Sequence, residues 1–138
     1  GEILSLCWDD INFDTKTLTV QFANAKSGKT RHIPLNGEAF RTLQCWQADT
    51  HNSGIVFKGS TGKAMTDIGK AWDKLLAVAA ITNFRFHDLR HHFASKLVMA
   101  CVDLNTVREL LGHSDLAMTL RYAHLAPEHK AAAVNLIG

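Results

Sequence analysis

His87 and Arg90 stand three apart in "HDLR", the spacing that puts both side chains on one face of a helix. A guanidinium fork beside an imidazole suits an anionic ligand such as a phosphate, although an isolated pair of this kind is most often a solvated helix face. His113 follows Gly112 directly in "LLGHSD". A histidine just past a glycine helix stop can donate to a ligand or equally satisfy backbone carbonyls. Tyr122 is the sole tyrosine of the chain. A phenol, with a reference pKa of about 10, becomes a nucleophile only where cations favour the phenolate or a base takes the proton. Otherwise a tyrosine at a helix end is a core or rim aromatic. Lys26 lies in "AKSGKTR" with Lys29 and Arg31 nearby. Such a basic turn is usually solvated, and it can also sit against the backbone of a nucleic acid. Each residue alone favours the structural reading, but a lysine in a hairpin, an HxxR pair, a Gly-His and a tyrosine nine residues on form one ordered constellation.

The chain that must position these groups has 138 residues, 46% of them hydrophobic and 20% charged, with a net charge of +2. That suits one globular domain with a core of its own. The charge is compatible with nucleic acid but too mild to argue for it. Cys7, Cys45 and Cys101 are odd in number and show no CxxC spacing. They read as free thiols in a reducing compartment rather than a disulfide framework or a zinc site. With no signal peptide and no apolar run of membrane length, a cytoplasmic protein with no membrane association is expected.

The opening "GEILSLCWDDI" reads as the end of a helix. "TLTVQF" alternates and is β-branched, which predicts a strand, and "RHIPL" predicts its partner across a Gly-containing turn. Pro34 suits an edge position. "GIVF" reads as a third strand. Asn36 is placed to cap a helix running to about Asp49, with Phe40, Leu43 and Trp46 inward. Further helices are predicted from Thr66 to Ala80 and near Phe86 to Ala100. Another, capped at Asp103 or Asn105, stops at Gly112; the next runs from Ser114 to Tyr122, and a last one starts around Pro127 and runs to Leu136. The apolar residues of that final stretch, Ala132, Val134, Leu136 and Ile137, form a face that packs either on the chain's own core or on another molecule.

Four stretches, "EILSLCWDDI", "AKSGKTRHIPL", "FHDLRHHFAS" and "LLGHSDLAMTLRYAHL", together resemble the tyrosine recombinase family, the phage-integrase type of site-specific recombinase. The resemblance covers nearly the whole chain, and the last two stretches form a highly specific pair. It implies an α+β fold: a mostly helical catalytic domain with a small three-stranded antiparallel sheet. It implies a catalytic set of Lys26, His87, Arg90, His113 and Tyr122, with Tyr122 as the nucleophile on a DNA phosphate and a 3′-phosphotyrosine as the intermediate. Arg90 and His113 would stabilise the phosphate oxygens, Lys26 would protonate the departing 5′ oxygen, and His87 would help accept or orient the tyrosine proton. Lys26, Lys29 and Arg31 would touch DNA. No metal and no other cofactor is implied. The implied partner is a specific double-stranded DNA site, bound by a homotetramer whose C-terminal helices pack in trans. Glu2 matches the glutamate of the family's R-x-x-E pattern, which puts the first catalytic arginine ahead of Gly1, and the family's N-terminal DNA-binding domain is not matched. The expectation is a C-terminal catalytic domain, close to inactive by itself.

A different class remains open on the residues alone. His87 and His91 stand at i, i+4, the spacing of helical zinc ligands, and His92, His113 or His124 could add a third donor to make a metal-dependent hydrolase. Against this, the HExxH glutamate is absent and Tyr122 and Lys26 are left without a role. A DNA-cleaving relative that does not recombine, or a non-catalytic DNA-binding one, is the nearer alternative.

Overall fold

A computed structural model describes residues 2–21, 30–50, 53–59, 61–128 and 130–137. They belong to two compact units, Gly1–Val78 and Ala79–Gly138.

The first unit is built on a three-stranded antiparallel sheet in the order β1-β2-β3, with β1 at Ile11–Asn12, β2 at Thr17–Val20 and β3 at Arg31–Pro34. Leu18 stands between Ile11 on one side and Ile33 on the other, and Val20 is opposite Arg31. The antiparallel pairing expected of "TLTVQF" and "RHIPL" is present between Thr17–Val20 and Arg31–Pro34, the predicted turn lies outside the described residues, and Pro34 lies on an edge strand, where its missing N–H costs no ladder bond. The third strand is not "GIVF". Ile55 makes only an isolated bridge to Cys7, and Lys58 one to Ala64. Gly54, the first residue of that segment, adopts φ +72, and β1 takes the sheet position beside β2. Val56 instead goes into a core with Leu6, Trp8 and Ile11, against which Leu18, Leu35 and Leu43 pack.

The opening segment also differs from its predicted helix. Glu2 to Ser5 form a turn, and a single 3-10 turn follows at Trp8–Asp10. The buried residues Leu6, Trp8 and Ile11 are spaced by two and three, which no α-helical face accommodates. The Asp10 carboxylate accepts the Cys7 N–H at 3.0 Å and closes the turn. Helix α1, Gly37–Asp49, starts and ends where its sequence predicts. The Asn36 side chain accepts the Ala39 N–H at 2.8 Å. Trp46 is more exposed than expected, yet its indole N–H reaches the Val56 carbonyl at 3.0 Å. Helix α2, Gly69–Val78, begins three residues later than Thr66, where the Asp67 carboxylate accepts the Gly69 N–H.

The second unit is helical: α3 at Asp88–Met99, α4 at Leu104–Leu111, α5 at Ala117–Leu120, a 3-10 turn at Ala123–Leu125 and α6 at Lys130–Asn135. Its core is Ala94 and Val98 from α3, Val107 and Leu111 from α4, and the ring of Tyr122. Asp103 caps α4 by accepting the Thr106 N–H at 2.9 Å. Gly112 ends α4 at φ +67, a conformation glycine adopts without steric cost. Gly112 donates to the Glu109 carbonyl and His113 to the Arg108 carbonyl, each at 3.0 Å. That bond pair is the Schellman motif, and it sets where His113 leaves the helix. Helix α5 is one turn long and starts at Ala117 rather than after a Ser114 cap, and the Asp115 carboxylate accepts the Ala117 N–H at 2.9 Å. Helix α6 lies beyond Pro127, with Val134, Leu136 and Ile137 exposed.

Candidate active site

Four of the five predicted catalytic residues lie in the second unit, and three of them converge around one corner of its core. Arg90 sits on the first turn of α3 and donates to the carbonyl of Leu111, the last residue of α4. That bond brings the guanidinium to the Gly112–His113 turn. His113 Nδ1 is 2.8 Å from the hydroxyl of Thr119, a completely buried residue of α5. Tyr122 follows α5 by two residues and is only 6% exposed. Its ring fills the core beside Ala94 and Leu111, and its hydroxyl lies 2.6 Å from Nδ1 of His91. His87 immediately precedes α3, and its ring meets that of His91 edge-on, with centroids 5.2 Å apart.

Two residues of this arrangement carried no role in the sequence resemblance. His91, not His87, holds the tyrosine hydroxyl, and Thr119 holds His113. His91 was visible in the sequence as the i+4 partner of His87, a spacing that pointed to metal binding. Its Nδ1 is instead engaged with Tyr122. Among the described residues, no group of three or more His, Cys, Asp or Glu side chains gathers in a metal-binding arrangement. Thr119 left no sequence signal beyond its place three residues before Tyr122.

The electrostatics follow from this packing. Burial lowers the pKa of His113, and the positive charges of Arg90 and Arg121 press in the same direction. The imidazole is therefore neutral at neutral pH in this state. In the tautomer that carries its proton on Nε2, His113 accepts the Thr119 hydroxyl at Nδ1 and Nε2 is a hydrogen-bond donor. Asp88, one turn before His91, is held at a pKa of about 2 by its hydrogen bond to Arg85. Its carboxylate accepts the backbone N–H of Arg85 at 2.8 Å and the guanidinium at 2.8 Å, closing the N-terminus of α3. The turn that presents His87 and Arg90 is thereby fixed at both ends.

The remaining predicted residues belong to the first unit. Lys26 and Lys29 lie outside the described residues. Arg31, expected to touch DNA, forms a two-pronged ion pair with Glu2, at 2.8 and 3.3 Å. The pair ties β3 to the opening turn.

A buried phenol hydrogen-bonded to an imidazole stands here with an arginine and a second histidine on adjoining turns. Residues 1–129 match the model of the phage integrase family, and the chain belongs to that family. It is 36% identical to the tyrosine recombinase XerC of Xanthomonas campestris pv. campestris over 95% of this chain and 41% of that one. Its fold superposes on the catalytic domain of bacteriophage HP1 integrase with a TM-score of 0.74, at 29% identity, covering 99% of this chain and 72% of that one. The site-specific recombinase XerH, solved bound to a palindromic difH substrate in a post-cleavage complex, matches with a TM-score of 0.74 at 25% identity, over 96% of this chain and 40% of that one. The chain thus spans about two fifths of the length of the curated relatives it matches. Among the described residues, no helix is long and apolar enough to cross a membrane.

Proposed function

We propose that this chain is the strand-transferring part of a site-specific DNA recombinase or integrase. The observation that carries the reading is the clustering of Tyr122, Arg90 and His113 on three adjoining elements, in a chain of the phage integrase family. Tyr122 Oη attacks the scissile phosphorus and forms a P–O bond, the bond to the 5′ oxygen breaks, and a 3′-phosphotyrosine remains. Arg90 offers its planar fork to the non-bridging oxygens. His113 donates from Nε2 to the same phosphate, and an entering phosphate favours its protonated form. Lys26, from the β2–β3 connection, gives a proton to the departing 5′ oxygen, and Lys29 contacts the DNA backbone. His87 borders the tyrosine's proton partner. Religation is the same sequence reversed, so no ATP is consumed.

The exposed Val134, Leu136 and Ile137 support a second part of the proposal. The C-terminal segment packs on a neighbouring protomer, and the active assembly on DNA is a tetramer. The metal-hydrolase reading has no comparable support.

The test is a nicked suicide duplex carrying the recombination site, itself recovered by selecting bound duplexes from a random pool. The protein expressed from its complete reading frame is incubated with it in chelator. A denaturation-resistant adduct mapping to Tyr122 and absent from Tyr122→Phe is expected. Sequence-specific binding without any adduct would leave a DNA-binding protein rather than a recombinase.

A further inference from the structure

We infer that His91 is a catalytic residue: its Nδ1 is the atom that takes the proton from Tyr122 during attack and returns it during religation. The inference rests on the strand-transfer reading above. It starts from one geometric fact, the 2.6 Å separation of His91 Nδ1 and Tyr122 Oη across 31 residues of sequence. That distance is short even for a hydrogen bond made by a hydroxyl.

The surroundings favour proton acceptance. Tyr122 is almost wholly buried, its ring packed among Ala94, Val98, Val107 and Leu111. The phenol cannot turn freely to seek a water molecule. In the imidazole tautomer that carries its proton on Nε2, Nδ1 presents a lone pair to the phenol O–H, which donates to it. Asp88, the first residue of α3, lies close enough to interact with His91, and its carboxylate is ionised across the physiological range. The helix also sets the geometry. His91 follows Arg90 directly on α3, so a shift of α3 that brings the arginine fork to a phosphate carries the proton acceptor with it.

Phenols as a class hold their proton more tightly than imidazolium ions do, so base catalysis of phenol attack couples proton loss to bond formation. The proton therefore moves as the Oη–phosphorus bond forms and the phenol becomes acidic. The step balances. Oη gains phosphorus and loses its proton to Nδ1. Phosphorus loses the 5′ oxygen, which leaves as a hydroxyl with a proton from the acid on the leaving-group side. On religation the imidazolium returns the proton to Oη as the phosphotyrosine bond breaks.

The experiment measures the rate of adduct formation on the suicide duplex with the native protein, His91→Asn and His91→Ala. Each is prepared both with ordinary tyrosine and with 3,5-difluorotyrosine at position 122. Asparagine places an amide where Nδ1 stands, so it can hold the hydroxyl without accepting a proton. Loss of a general base typically costs about 10²- to 10⁴-fold, and both variants are expected to slow by that factor while binding the duplex as the native protein does. The more acidic fluorinated phenol needs less help from a base. It is expected to recover at least about tenfold of the loss in the variants and to do little for the native protein, in line with Brønsted behaviour. A residue that only positions the ring would show no such rescue. His91→Asn cleaving at the native rate, or no recovery with the fluorinated tyrosine, would overturn the inference while leaving Tyr122 as the nucleophile. An adduct mapping elsewhere than Tyr122 would remove the strand-transfer reading and this inference together.

Discussion

Replacing Thr119 by valine isolates the contact that orients His113. Valine has almost the volume of threonine, so a fully buried site loses a hydroxyl without gaining a cavity. What is lost is the 2.8 Å hydrogen bond to His113 Nδ1. A neutral hydrogen bond contributes about 0.5–1.5 kcal/mol net, and a buried partner left unpaired adds to the loss, up to about 3 kcal/mol. His113 is only half-buried, so water can partly replace the hydroxyl, and the expected total is about 1–1.5 kcal/mol. For a chain of this length that corresponds to a fall in Tm of roughly 3–6 °C. The decisive assay is a double-mutant cycle with His113→Ala, read by thermal or urea unfolding. In the alanine background Thr119→Val should be close to neutral, giving a coupling of about 1 kcal/mol. An equal cost in both backgrounds would refute the reasoning, since it would show that the hydroxyl stabilises the fold without acting through His113. Strand cleavage should also slow in Thr119→Val, because the hydrogen bond that orients the His113 ring is lost.

Gly112→Ala forces an L side chain into φ +67 and should destabilise by about 1–2 kcal/mol; a variant as stable as the native protein in urea would contradict the role given to the Schellman turn. Cys101 occupies the corresponding left-handed position after α3, at φ +65, with the Val102 N–H bonded to the Leu97 carbonyl. Cys101→Gly should therefore stabilise, by about 0.5–1 kcal/mol, which calorimetry would show as a Tm raised by a few degrees. The pH dependence follows from His113 and Asp88. The folded pKa of His113 lies below its unfolded value of about 6.5, so the unfolded chain binds the proton first as pH falls. Its contribution to stability is complete above that value and is lost below it. The Asp88 contribution is complete above about pH 4 and is lost as pH falls towards about 2. Urea midpoints flat from pH 5 to pH 7.5, or a His113 proton resonance titrating above 6.5, would contradict the first of these.

How much was legible before the fold depends on the range of the interaction that decides each feature. The ends of α1 and α4 were readable because their determinants are local. Asn36 and Asp103 cap the N–H groups three residues ahead, and Gly112 alone relieves the left-handed turn. The antiparallel pairing of β2 with β3 was readable from the alternation of the two segments. Helix α5 was placed but overdrawn, because apolar periodicity continued past Leu120 while the chain tightened into a 3-10 turn. The third strand was misplaced, since "GIVF" and Ile11–Asn12 are both short apolar stretches, and only packing decides which one pairs with β2.

By itself the sequence determined which chemical groups are present and in what order: a basic hairpin, an HxxR pair, a histidine after a glycine stop, and one tyrosine. Periodicity says which face of a helix a residue occupies, but it does not say what stands across from that face. The pairings of His91 with Tyr122 and of Thr119 with His113 come from the packing of α3 and α4 against the turns around α5, which brings together residues 31 and 6 apart in the chain. The same packing half-buries His113 and lowers its pKa. Which imidazole meets the phenol was decided by the tertiary structure alone, because His87, His91 and His92 are chemically identical until the core fixes where each of them points.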